Sequence, residues 1–170
     1  MRTLVLCAAA LALAQPVLAN AAAKAPPSSA VDYPGFARLT EEVRDYRADR
    51  LVDLATFQAM AGEGDTLILD ARSPAAFAAG HIKGAINLTF TDFTAASLAR
   101  VIGDPNRRIL IYCNNNFAND VEPVRMKAVR LALNIQTFIN LYGYGYRNVY
   151  ELGETIDLND PRVGWVEPQL

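Results

Sequence analysis

A chain of 170 residues is long enough for one domain with a substantial core and too short for two comfortable ones. A formal charge of −2 argues against an electrostatic partner such as nucleic acid, and no motif of a nucleic-acid reader is present. With 52 % hydrophobic and 20 % charged residues, the composition is that of a globular protein once the apolar N-terminus is set aside.

That N-terminus reads as a targeting segment. Arg2 precedes an apolar run, Leu4 to Leu13, of the length of a signal-peptide core and too short to span a membrane. Small residues around Ala19 and Ala21 suit cleavage. Residues 1–21 are therefore expected to be a signal peptide, and the mature protein to be periplasmic or secreted, with no stable membrane association afterwards. Cys7 lies inside the apolar run, so cleavage leaves Cys113 as the sole cysteine and no disulfide framework.

Residues 22–50 read as a linker and N-terminal extension. Ala, Pro and Ser dominate up to Ser29, Tyr33-Pro34-Gly35-Phe36 is expected to turn, and Leu39 to Tyr46 to form a short helix. Asp53 can cap a helix through Leu54, Phe57 and Met60 that Gly62 and Gly64 end. Thr66 to Asp70 is a buried strand, and Ser73-Pro74 opens a helix closed by Gly80. Ala85 to Leu88 is a brief strand, Thr94 to Ile102 a helix, and Gly103-Asp104-Pro105-Asn106 a turn. Strand and helix alternate, which predicts an α/β fold with a largely parallel sheet.

Ile109 to Tyr112 then form a buried strand that stops at Cys113 and three asparagines. Asparagine tolerates turn conformations, so this sequence is expected to present a thiol at the lip of a tight loop. Inward-turned amides there would favour thiolate over thiol, with a pKa below the free value of about 8.5, making Cys113 a sulfur-carrying nucleophile. Buried structural cysteine is the commoner fate of a free thiol, and the polar run after Cys113 weighs against it. The following stretch fits a helical face (Val124, Ala128, Leu131, Ile135, Phe138) or a strand alternation from Val129 to Ile135. The reading adopted is an irregular or extended insertion, Asp120 to Leu133, followed by a helix from about Asn134 to Tyr142-Gly143. Asn148 to Leu152 is a last strand, and residues 154–170 are expected to pack as a loop anchored by Trp165.

Leu67-Ile68-Leu69-Asp70-Ala71-Arg72, Phe77-Ala78-Ala79-Gly80-His81-Ile82-Lys83-Gly84-Ala85-Ile86-Asn87, Ile111-Tyr112-Cys113 and Gly145 to Leu152 together resemble the rhodanese homology domain, over about residues 51–153. The resemblance implies an α/β, rhodanese-like fold with about five mainly parallel strands flanked by helices on both faces. It implies a thiosulfate sulfurtransferase-like enzyme in which Cys113 accepts sulfane sulfur and passes it to a thiol or cyanide-like acceptor. Asn114, Asn115, Asn116, Phe117, Ala118 and Asn119 would then form the substrate loop, and Arg72 would add positive potential or serve a structural ion pair. His81 corresponds to a loop-shaping residue rather than a general base. No cofactor is implied, and one histidine with one mature cysteine makes a metal site improbable.

Two departures from the family pattern bear on function. The loop from Asn114 to Asn119 carries no charge, so a doubly anionic donor gains little from it. The interval from Cys113 to Gly145 is also long, and Arg125, Lys127 or Arg130 of the insertion either reach the site or form a solvated surface. Two other functions compete. One is a catalytically weak binding or regulatory module on the same fold. The other is a phosphatase or arsenate reductase with a Cys-x5-Arg loop, which is disfavoured because position 119 is Asn.

Overall fold

A computed structural model describes residues 30–167. The signal peptide expected over 1–21, the linker as far as Ser29 and residues 168–170 lie outside the described residues. The elements in order are α1 (Tyr33–Ala48), β1 (Leu51–Val52), α2 (Leu54–Ala61), β2 (Thr66–Asp70), α3 (Pro74–Ala79), β3 (His81–Ile82) and β4 (Ile86–Asn87), followed by α4 (Ala95–Ile102), β5 (Arg108–Tyr112), α5 (Leu133–Gly143), β6 (Val149–Leu152) and β7 (Trp165–Val166). Five strands form one parallel sheet in the order β1-β6-β5-β2-β4, while β3 and β7 make a separate antiparallel pair.

Side-chain parity along the central strands sets the layers. Ile109 and Ile111 of β5 face one core with Leu67 and Leu69 of β2, against Val43 of α1, Leu98 and Ile102 of α4, and Phe138 and Leu141 of α5. Leu110 and Tyr112 face the other core with Ile68, packed against Leu54 and Phe57 of α2 and residues of the C-terminal segment. Both faces are covered, which is why these strands read as unbroken apolar runs. The helices start where their caps stand. Asp53 accepts the Thr56 N–H, Ser73 the Ala76 N–H ahead of Pro74, and Thr94 the Ser97 N–H.

Several local expectations need correction. Tyr33 to Phe36 is the first turn of α1 rather than a free turn, because Pro34 occupies a helical position whose N–H needs no partner. The helix therefore runs well past both ends of Leu39–Tyr46 and buries Val43. Strands β1, β3 and β7 are two residues each, too short to leave a periodic signal, so the C-terminal segment is not loop throughout. The insertion is irregular apart from a 3₁₀ turn at Val129–Leu131, and α5 begins at Leu133.

Candidate active site

Cys113 directly follows β5 in extended backbone, so the alternation of the strand continues through it and places it on the α5 side with Ile109 and Ile111. There it meets the amino terminus of α5. The backbone N–H groups of Asn134, Asn115 and Leu133 approach its sulfur, two from the start of α5 and one from the loop. Cys113 lines a cavity of about 340 Å³ together with Asn115, Asn116, Asn134, Arg47, Glu151 and Glu154, among others.

The expected depression of the thiol pKa is not found. Cys113 is only 1 % exposed, and burial pushes its pKa up by more than the peptide N–H groups pull it down, with the Glu151 carboxylate adding to the rise. The inward amides exist, but a thiolate closed off from water loses more than they return.

The loop residues divide into distinct roles. Asn116 is buried: its Oδ1 accepts the Cys113 N–H at 2.8 Å, and its Nδ2 donates to the carbonyls of Leu152 and Glu154 at 2.7 and 3.0 Å. Asn115 Nδ2 donates to the Lys127 carbonyl at 2.7 Å while its Oδ1 accepts the Lys127 N–H at 3.0 Å, a two-bond clasp on the insertion. Asn114 Nδ2 donates to the Arg125 carbonyl at 2.6 Å. Phe117, expected at the substrate, is instead a core residue with no exposed surface and bridges Ile156. The Ala118 N–H donates to the Ile156 carbonyl, and Asn119 holds the Leu158 N–H at 2.7 Å, so both tie down the C-terminal segment. Of the six loop residues, only Asn115 and Asn116 line the Cys113 cavity.

Arg72 stands on the opposite face of the sheet. Its guanidinium pairs with Asp70 at 2.6 Å, donates to the Gly80 carbonyl at 2.7 Å and stacks 5.5 and 5.3 Å from the Tyr112 and Trp165 rings. Asp70 also accepts the Tyr112 hydroxyl at 2.6 Å, and burial raises the Tyr112 pKa well above its ordinary value. The pair is structural, and Arg72 lends no charge to the Cys113 cavity. His81 packs its ring 3.8 Å from Phe77 and bonds the Phe77 carbonyl, outside that cavity. Arg125 and Lys127 line a neighbouring cavity of about 270 Å³ with Arg72 and Asn114, separated from Cys113 by the shared wall of Asn115.

Three residues that local sequence did not mark complete the site. Glu151 of β6 is buried, paired with Arg47 of α1 through two bonds of 2.6 Å, and accepts from Asn134 Nδ2 at 3.2 Å. A carboxylate within an otherwise buried strand is itself a sign that a partner is needed. That partner lies 104 residues away, so no local pattern names it.

A model of the rhodanese-like domain matches residues 53–154. No curated protein matches the chain significantly. Among solved structures, a rhodanese-like domain from Anabaena sp. is 23 % identical with a TM-score of 0.43, covering 61 % of this chain and 67 % of its own. A rhodanese from E. coli is 21 % identical (TM-score 0.41), covering 61 % of this chain and 99 % of its own. A thiosulfate sulfurtransferase from Pseudomonas aeruginosa is 20 % identical (TM-score 0.45); the match covers 71 % of this chain but only 20 % of that enzyme. The matched span runs from the cap of α2 to just beyond β6 and takes in both the Asp70–Arg72 strand end and Cys113, and on that basis the chain belongs to the rhodanese-like family.

Proposed function

We propose that the protein is a sulfurtransferase or persulfide carrier in which Cys113 takes sulfane sulfur from a donor such as thiosulfate and passes it to a thiophilic acceptor. The observation that carries this reading is the convergence of three peptide N–H groups on the Cys113 sulfur at the C-terminal end of a parallel strand. A persulfide carries its charge one bond further out than a thiolate does. Amide dipoles and the amino terminus of α5 can hold that charge without supplying an acid that quenches it. With thiosulfate the step balances as Cys113 thiol plus dianion giving the Cys113 persulfide anion plus bisulfite. A thiolate or cyanide acceptor then attacks the outer sulfur and releases the Cys113 sulfur.

The 1 % exposure of Cys113 and the uncharged loop favour a second reading, a binding or regulatory module of low turnover. Incubation with thiosulfate followed by cyanide separates the two. Thiocyanate formed by the native chain and lost in Cys113→Ala supports transfer, whereas equal rates in both leave the module. A phosphatase is disfavoured further because Asn119 is committed to Leu158 and Asp157. We also place the protein outside the cytoplasm, on the strength of the N-terminal apolar run. N-terminal sequencing of periplasmic material should then begin at Asn20 or Ala22.

A further inference from the structure

The hydrogen-bond pattern beside Cys113 determines which way each amide faces. The Cys113 N–H is a donor, so Asn116 presents Oδ1 to it, and Asn116 Nδ2 goes to two carbonyls. Asn134 lies against Asn116 Oδ1 at 3.1 Å and the Glu151 carboxylate at 3.2 Å, both acceptors, so its NH2 group must face them. Its Oδ1 is left over: Asn134 is 4 % exposed, and this oxygen has no hydrogen-bond partner. A buried carbonyl without a partner is costly, and Asn134 lines the cavity that also holds Cys113. The charged residues of that cavity are Arg47, Glu151 and Glu154; Arg47 is already spent on Glu151, and Glu154 accepts the Leu54 N–H at 2.8 Å. Beyond the peptide N–H groups at the sulfur, the lining therefore offers one idle acceptor and no free cation.

We propose that the Cys113 cavity selects small sulfur compounds bearing a hydrogen-bond donor and no anionic group besides the persulfide, with Asn134 Oδ1 accepting that donor. The inference rests on the sulfur-transfer reading and names its substrate class, a low-molecular-weight aminothiol persulfide in preference to thiosulfate. Thiosulfate has only acceptor oxygens and two negative charges, so it leaves the idle carbonyl unmatched and meets no free cation. A cavity of about 340 Å³ is sized for a molecule of this kind rather than a peptide. The loading step is Cys113–SH plus R–S–S⁻ giving Cys113–S–S⁻ plus R–SH. The donor S–S bond breaks, a new one forms at Cys113, the thiol proton leaves on R–SH, and no external oxidant enters.

The test measures gain of one sulfur atom on Cys113 by intact-protein mass spectrometry. The donors are cysteamine persulfide, its trimethylammonium analogue thiocholine persulfide, mercaptoacetate persulfide and thiosulfate. Cysteamine persulfide should load roughly tenfold faster than the thiocholine compound, which keeps the charge but lacks the N–H. Both should exceed the dianionic donors, and Asn134→Ala should abolish the difference between the two zwitterions while circular dichroism confirms its fold. Thiosulfate loading at least as fast as cysteamine persulfide, or equal rates from the two zwitterions, overturns the substrate class and leaves sulfur transfer standing. No loading of Cys113 from any donor removes both.

Discussion

Cys113 is held between opposing influences, and its titration reports which one prevails. Burial dominates over three approaching N–H groups, so alkylation by iodoacetamide should follow a midpoint above the free-thiol value of about 8.5. The sign for stability follows from linkage. Below the free-thiol pKa both folded and unfolded states keep the proton and the group contributes nothing. Above it the unfolded thiol ionises first, so stability falls with rising pH until the folded pKa is passed. Urea unfolding across this range should show a decline that Cys113→Ala lacks. On the other face, Asp70 and Arg72 form a buried pair whose remaining bonds are satisfied by Tyr112 and Gly80. Asp70→Asn leaves the guanidinium uncompensated and should cost about 3–5 kcal/mol in urea unfolding, without reshaping the Cys113 cavity.

The insertion between β5 and α5 is where this chain departs most from a short active loop. It is held to the Cys113 turn chiefly by Asn114 and Asn115, and it supplies Val129 and Ala132 to the wall of the cavity. Asn115→Ala removes both bonds to Lys127 and should raise the alkylation rate of Cys113 several-fold, with a stability loss of only about 1–2 kcal/mol. An unchanged rate would mean that access does not pass beneath the insertion. The β3–β7 pair makes a second fastening. Trp165 lies so close to Gly80 that a Cβ there would sit 2.7 Å from the indole ring. Gly80→Ala should therefore destabilise by about 1–3 kcal/mol, read as a lower urea midpoint, by pushing the ring off Arg72.

Helix α1 lies ahead of the matched rhodanese-like span yet contributes to the site. Val43 enters the core of the α4 and α5 face, and Arg47 neutralises Glu151 behind the cavity. The Arg47 side chain is 32 % exposed, so the pair is worth less than a fully buried one. Arg47→Ala should cost about 1–3 kcal/mol by thermal or urea unfolding. It should also slow sulfur loading from dianionic donors more than from zwitterionic ones, because the cavity would lose its one cation.

Much of the architecture was legible because it is encoded locally. The apolar runs at Thr66–Asp70 and Ile109–Tyr112, the caps at Asp53, Ser73 and Thr94, and the motif from Gly80 to Asn87 act through neighbours a few residues away. They were sufficient for a parallel α/β sheet with Cys113 at a strand end. Folding alone decided which strand lies beside which, and therefore that Arg72 and Cys113 occupy opposite faces although both end central strands. It also decided that Phe117 enters the core, and that Asn134, Glu151 and Arg47 gather behind the thiol from three separate elements. The physical reason is that propensity and capping operate over one or two turns, whereas burial and charge pairing are settled by which surfaces the packed layers bring together.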